Sequence, residues 1–367
     1  MGDAGELKQL PLKHLHESAG ARFGGFVGWS MPITYPAGVM KEHLHAREHA
    51  GLFDISHMRL FDLAGPDAEK VLARACPFDP AQLEQGQSKL SLLLNDKAGI
   101  LDDLIATRLG PDRFMVVANA GNADSDEAHL RELAKGQDCT IKPLDRVFLA
   151  LQGPEAEAVL KDCGLDLSHL YFMQGFEPRD GWFASRSGYT GEDGFELAMP
   201  IDEATEMSER LLADERVMWI GLAARDSLRL EAGLCLHGQD ITADITPVEA
   251  ALLWTIPKEL RDGGAYVGSQ ALVAARAAGA SRKRVGLMPE GRQPVRAGTP
   301  LVDSSGAPAG QITSGGFGPS AGAPVAMGYV QTDLIKAEAE LFAEVRGNRI
   351  AVRIHPLPFT PHRYRKG

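Results

Sequence analysis

Two stretches of the chain, LFDLAGPDAEKVLARA at residues 60–75 and FLALQGPEAEAVLKDC at residues 148–163, repeat one another. Each reads as a short apolar strand, a Gly-Pro turn and an amphipathic helix. Gly65 and Gly153 permit the turn, and Pro66 and Pro154 suit the first helical position, where a missing N–H costs nothing. The shared Ala-Glu-x-x-Val-Leu then supplies a buried stripe. Each copy continues into two strand-like runs and a second, acidic helix: SLLLND, DRFMVVAN and DSDEAHLRELA in the first, GWFASRSG, FELAM and DEATEMSERLL in the second. That is the order of a split β-α-β unit, as in ferredoxin-like folds, and two copies predict an α+β chain with two pseudo-symmetric lobes.

After about residue 275 the texture changes. The runs RVGLM, GQITSG, VAMGYV, FAEVRG and RIAVRIHPL, separated by Gly, Pro and Asp-Ser, predict a small antiparallel barrel or sandwich. The chain therefore divides into a two-lobed region at 8–275 and a C-terminal β-domain at 283–365. The glycines of TSGGFGPSAG read as hairpin turns; they do not link a strand to a helix, which excludes a dinucleotide fingerprint.

Bulk properties narrow the class. A chain of 367 residues is longer than one core usually absorbs. With 38 Lys plus Arg against 49 Asp plus Glu, the net charge is -11, which argues against a nucleic acid as partner. The 4 cysteines are scattered, so neither a disulfide framework nor a structural zinc site is expected. No long apolar run suggests a membrane span, and the start MGDAGELKQLPLKHLH has neither signal-peptide nor transit-peptide character. The expectation is the bacterial cytoplasm, or the mitochondrial matrix for a mature organellar form. HAREH at 45–49 matches the H-x-x-E-H zinc spacing, but its helix stops at Gly51 with no third ligand in view, so an exposed amphipathic helix and no metal are expected.

The acids of SRSGYTGEDGFELAM, residues 185–199, divide by position. Glu192 and Asp193 lie in a Gly-x-x-Gly turn and are expected to be solvated. Beyond Gly194 the side chains alternate, which places Glu196 beside Ala198 and away from Phe195, Leu197 and Met199, where it could line a cleft. The matching stretch of the first copy is KAGILDDLIATRL, residues 97–109. If the lobes face each other, Asp102 or Asp103 would meet Glu196 across one cleft; the alternative is a solvent-exposed acid pair. In GLAARDSLRLEAGLCLHGQDI a helix is predicted from Ala223 to Ala232, stopped by Gly233, with Arg225 and Arg229 on one face. Either an ion-pair network with Asp226 or Glu231, or an Arg225 that positions a carboxylate or an anionic substrate, accounts for that pairing.

GWSMPITYPAGVMKEHLHAREHAGLFDISHM, AGILDDLI, LALQGP, SRSGYTGEDGFEL, TPVEAALLWTI, VAMGYV and PLPFTPHRYRKG, together with the arginine helix, closely resemble the aminomethyltransferase (T-protein) family of the glycine cleavage system, in collinear order from about residue 10 to the end. The resemblance implies pseudo-symmetric ferredoxin-like folate-binding domains in a clover-like arrangement plus a C-terminal antiparallel β-barrel. It implies transfer of a methylene from an aminomethyl-lipoyl H-protein to tetrahydrofolate, with release of ammonia and no metal. Residue by residue it makes Asp103 the catalytic carboxylate and Glu196 the pterin-binding acid, with Tyr189 and Asn119 nearby. Arg225 is similar to the functional arginine, Tyr364 to a C-terminal folate contact and Met58 to a residue packed on the ligand. Two positions depart from the family: Arg59 stands where many members have Gly, and Leu90 where Tyr is frequent. A related tetrahydrofolate-dependent demethylase and a non-catalytic folate-binding protein are the alternative readings. The basic runs SRKR, residues 281–284, and HRYRK, residues 362–366, are expected to steer an acidic carrier.

Overall fold

In the computed structural model, which describes residues 6–367, each repeat opens a lobe of the same topology. The first lobe runs strand Arg59–Ala64, helix Ala68–Ala75, strands Ser88–Leu94, Ile100–Gly110 and Arg113–Ala118, helix Ala123–Leu133 and strand Thr140–Leu144. The second runs strand Val147–Gln152, helix Ala156–Asp162, strands Gln174–Phe176, Phe183–Arg186 and Gly194–Met199, helix Ile201–Leu212 and strand Val217–Trp219. In both sheets the opening strand pairs with the last strand before the second helix. This is the ferredoxin-like order with one added edge strand, Ser88–Leu94 or Gln174–Phe176. The second sheet takes in a further strand, Ala50–Asp54, between its opening and closing strands. Each lobe thus has three strands between its helices where the sequence reading gives two. By sheet order Gly194–Met199 is the counterpart of Arg113–Ala118, and Asp103 lies on the strand equivalent to Phe183–Arg186.

The repeated Gly-Pro turns behave alike. Gly65 and Gly153 adopt φ of 136° and 134°, and a Cβ there would approach Asp138 O to 2.3 Å and His49 O to 2.0 Å. No other residue type fits that closeness at that φ. The helices begin at Ala68 and Ala156, so each proline sits in the turn before the helix and not at its first residue.

Strand alternation sends Phe61 and Leu63 into the core beneath the first lobe's helices and Leu60 to the opposite face. There Leu60, Met115 and Val117 meet Phe148, Ala150 and Ala198 of the second lobe in a common core between the sheets. Both faces of the second sheet are covered, which explains why VFLALQ and GFELAM are buried at every position. The β-domain is a closed barrel of Arg282–Pro289, Pro300–Asp303, Pro308–Gly318, Ala323–Gln331, Leu341–Val345 and Asn348–His355. Gly315 and Gly316, read from sequence as turn residues, lie inside the strand Pro308–Gly318. Among the described residues no helix is long and apolar enough to cross a membrane.

Candidate active site

The lobes, the arginine helix, the barrel and the C-terminal tail enclose one cavity of about 1470 Å³. All seven residues singled out from sequence line it: Met58, Asp103, Asn119, Tyr189, Glu196, Arg225 and Tyr364. It exceeds the usual size of a single small-molecule pocket, so it has room for two reactants at once.

Asp103 enters from the long strand Ile100–Gly110 of the first lobe. Its Oδ1 accepts a hydrogen bond from Asn119 Nδ2 at 3.1 Å. Burial, and then the charge of Asp102 beside it, push its carboxyl up to about 7. The neighbour is not the exposed acid that one sequence reading allowed. Asp102 has 0% exposure, and its carboxylate accepts from Asn119 N at 3.1 Å, Asn119 Nδ2 at 2.9 Å and Asn122 Nδ2 at 2.7 Å.

Glu196 comes from the second lobe, on the face of its strand that alternation assigned to it. Ser187 Oγ donates to its Oε2 at 2.6 Å, and among the described residues no other group hydrogen-bonds this carboxylate. Burial raises its proton affinity, opposed by the Ser187 bond and by Arg225. The arginine helix spans Leu222–Glu231 and closes with paired bonds from Gly233 N to Leu230 O and from Leu234 N to Arg229 O. Arg225 lies over the Tyr189 ring at 4.8 Å, and among the described residues its buried Nη1 finds no hydrogen-bond partner. Tyr189 Oη donates to Cys235 O. The two arginines of the helix thus have different roles, because Arg229 turns to Asp226, to Asp240 at 2.7 Å and to Ser314 of the barrel at 2.8 Å.

Tyr364 stacks on Phe172 at 3.9 Å and 4° between planes. What holds the tail there corrects the sequence reading of Glu192 and Asp193. Glu192, expected in solvent, is 2% exposed and accepts from Arg47 Nη1 at 2.8 Å and Arg363 Nη2 at 2.6 Å. Asp193 accepts from Arg186 Nε at 3.0 Å. The tail closes over the turn as well, where Arg363 N donates to Gly191 O at 2.8 Å. The basic runs are consumed in the same way: Arg282 pairs with Glu249, Arg284 is buried against Ala250 O, and Arg363 and Arg365 pair with Glu192 and Glu157. Lys283 and Lys366, exposed, have no ion pair among the described residues.

The HAREH histidines are also engaged separately. His45 Nε2 meets Arg216 O at 3.0 Å, and His49, beyond the helix Val39–Glu48, pairs with Glu155 at 2.7 Å. Sequence reasoning passed over His57 and Phe172, both on the cavity wall. Burial and then the Arg225 charge hold His57 neutral, down at about 3. The resemblance singles out Met58 and not its neighbour His57, and nothing in HLYFMQG distinguishes Phe172 from a core aromatic.

Family models match along the chain, a GCVT N-terminal domain at residues 12–259 and a glycine cleavage T-protein C-terminal barrel domain at 282–360. The mitochondrial aminomethyltransferase of Gallus gallus is 42% identical, covering 98% of this chain and 94% of that protein. The aminomethyltransferase of Herpetosiphon aurantiacus is 40% identical, covering 98% and 100%. The crystal structure of glycine cleavage system aminomethyltransferase T from Bartonella henselae superposes with a TM-score of 0.96 at 59% identity, covering 98% and 100%. With both halves matched by their models and relatives aligned end to end, the chain belongs to the aminomethyltransferase, or glycine cleavage T-protein, family.

Proposed function

We propose that this aminomethyltransferase takes its methylene from an aminomethyl group carried as a thioether on the lipoyl arm of H-protein and passes it to tetrahydrofolate, releasing ammonia. The observation that carries this reading is the pairing, inside one cavity, of an under-bonded Glu196 carboxylate and the partnerless Nη1 of buried Arg225 with Asp103 on the facing lobe. Glu196 accepts the adjacent N–H donors of the pterin, and Arg225 opposes the pull of burial toward a protonated Glu196 while offering its free N–H to the ligand. Tyr189, Met58 and Tyr364 supply apolar surface around the ring. Asn119 fixes the rotamer of Asp103.

Asp103 acts on the methylene. As two nitrogens of the folate bond in turn to that carbon and its bonds to nitrogen and sulfur break, the protons those nitrogens shed leaving with ammonia and the dihydrolipoyl thiol, positive charge develops there. A fixed carboxylate in a low-dielectric wall stabilises it. The same group can accept the proton that the attacking nitrogen sheds, a task matched to its affinity near neutrality. Residues 8–275 hold the folate site and residues 283–365 close one wall of it; Arg284 and His355 reach the cavity from that side. The chain works in the mitochondrial matrix or the bacterial cytoplasm, by analogy with its relatives.

The test is ammonia release from aminomethyl-loaded H-protein with and without tetrahydrofolate, set against dimethylglycine and dimethylsulfoniopropionate as donors. Folate-dependent turnover of the carrier alone is expected. Preferential turnover of either small donor would replace this reading with a demethylase. For the pterin contact, Glu196→Ala is expected to weaken tetrahydrofolate binding by about 1–3 kcal/mol, and Tyr189→Phe by less, since the ring survives. Calorimetry that ranks the two variants the other way removes Glu196 from the pterin site.

A further inference from the structure

The backbone around His57 is firmly held while the polar atoms of its ring are not. His57 lies in the turn that carries the chain from strand Ala50–Asp54 of the second sheet to strand Arg59–Ala64 of the first, and so between the lobe of Glu196 and the lobe of Asp103. Ile55 N donates to Phe148 O at 2.9 Å, Met58 N to Ile55 O at 2.9 Å and Phe148 N to Ser56 Oγ at 3.0 Å, which fixes the turn. Phe26 meets the imidazole edge-on, with ring centroids 5.8 Å apart. Among the described residues neither ring nitrogen has a hydrogen bond: Nδ1 is enclosed and unpartnered, and Nε2, which is not enclosed, opens on the cavity that the residue lines. Asp54 shares a small second cavity with His57 and Arg225, but its carboxylate is turned to His16 Nε2 at 2.8 Å and Ser56 N at 2.9 Å. An apolar side chain would fill this place without leaving a polar atom unpaired, so packing does not account for a histidine here.

We propose that His57 contacts substrate, donating a hydrogen bond from Nε2 to the ring carbonyl oxygen of the pterin, next to the N–H edge that Glu196 accepts. The tautomer comes first. A proton on Nδ1 would be a buried N–H without an acceptor, which is rarer than an idle lone pair, so the proton belongs on Nε2. The ring is held neutral, by burial and then by Arg225, and so carries that one N–H and no second. The acceptor follows from the neighbours. Arg225, which shares the small cavity with His57, has a buried Nη1 that likewise finds no partner among the described residues. Arg225 in turn lies over Tyr189, next but one to the Ser187 that bonds Glu196. Two donors without acceptors therefore stand beside an acid with acceptor capacity to spare. A pterin presents along one edge two N–H donors and then a carbonyl oxygen, and a carboxylate flanked by N–H donors is the complement of that edge. The thioether sulfur that the carrier's arm would bring is a weak acceptor by comparison.

The inference rests on tetrahydrofolate being the methylene acceptor, but its first test needs no ligand. NMR of the full chain, isotope-labelled at the histidine nitrogens, is expected to show at neutral pH one neutral imidazole protonated on Nε2 that His57→Gln removes. A His57 protonated on Nδ1, or on both nitrogens, overturns the proposal whatever the reaction. The second test is calorimetry with tetrahydrofolate. His57→Phe keeps a ring against Phe26 and loses the donor, and should weaken binding about tenfold, whereas His57→Gln, whose amide still donates, should stay within about threefold of wild type. Equal affinities in the two variants overturn the contact, and a large fall in the melting temperature of both would then identify a histidine kept for structure. Wild-type affinity in His57→Phe with slow turnover of aminomethyl-loaded H-protein also overturns it, since the donor would then serve the carrier's arm. Failure of the wild-type chain to bind tetrahydrofolate removes the proposed function as well, so the two readings fail separately.

Discussion

Asp103→Asn is expected to lower the turnover of aminomethyl-loaded H-protein by roughly 10²–10³ or more while tetrahydrofolate affinity changes by less than about threefold. The amide has the same shape and retains a contact with Asn119, so ground-state packing survives. What disappears is the negative charge at the methylene and the site that accepts the proton, both of which matter most in the transition state. Single-turnover ammonia release measures the first quantity and calorimetry the second. Turnover within about threefold of wild type would remove Asp103 from the mechanism. A pH signature accompanies the loss. The ionised form is required and the carboxyl is raised to about 7, first by burial and then by Asp102, so wild-type kcat should rise through that pH, and the variant's residual rate should lack that limb.

The same shift carries a stability cost. The folded chain holds the Asp103 proton more tightly than the unfolded chain, whose value is the ordinary 3.8, so stability declines as pH rises from there to about 7. Asp103→Asn should therefore raise the melting temperature at pH 8 relative to pH 4. An active-site acid that lowers the stability of its own fold is a common form of the trade between activity and stability.

Glu231→Ala is expected to be the most destabilising change, costing about 3–5 kcal/mol. Glu231 has 0% exposure and ends the arginine helix at the junction of four segments. Its Oε2 accepts from Arg47 Nη2, His43 Nε2 and Thr360 Oγ1, each at 3.2 Å, and its Oε1 from the backbone N–H groups of Ser320 at 2.8 Å and Ala321 at 3.1 Å. Alanine leaves a buried guanidinium short of one acceptor and two barrel amides with none, while the lost apolar volume is small. Burial alone would raise Glu231, but the His43 hydrogen bond and charge, the Ala321 N–H and Arg47 outweigh it and hold the carboxyl at about 2. Its contribution is thus complete above the unfolded value near 4.5 and fades as pH falls toward 2. Urea unfolding at neutral pH measures the loss; a change under about 1 kcal/mol would show that the junction is held by packing alone. Because the tail also bonds to the lost carboxylate through Thr360 Oγ1, while the bonds of Phe359 N and Thr360 N to Glu231 O remain, the variant should loosen the tail that carries Tyr364 and weaken folate binding modestly.

Local sequence determined the elements. The Gly-Pro repeats set two strand-turn-helix units because no other residue fits at Gly65 and Gly153, and period-two alternation assigned Glu196 to the face that became the cavity wall. The β-rich runs after residue 275 became barrel strands, and the collinear motifs brought Met58, Asp103, Asn119, Tyr189, Glu196, Arg225 and Tyr364 to one site. Tertiary structure decided the fate of the charges. Glu192 reads as a turn acid in every local window, and its partners Arg47 and Arg363 lie 145 and 171 residues away. The strand Ala50–Asp54 crosses from the first lobe's side of the chain into the second lobe's sheet. A carboxylate is costly to bury alone and tolerable when paired, so whether it lies in water or in the core depends on a partner brought by the fold. Apolar periodicity is a property of neighbours a few residues apart, whereas ion pairing in the interior is a property of the assembled chain.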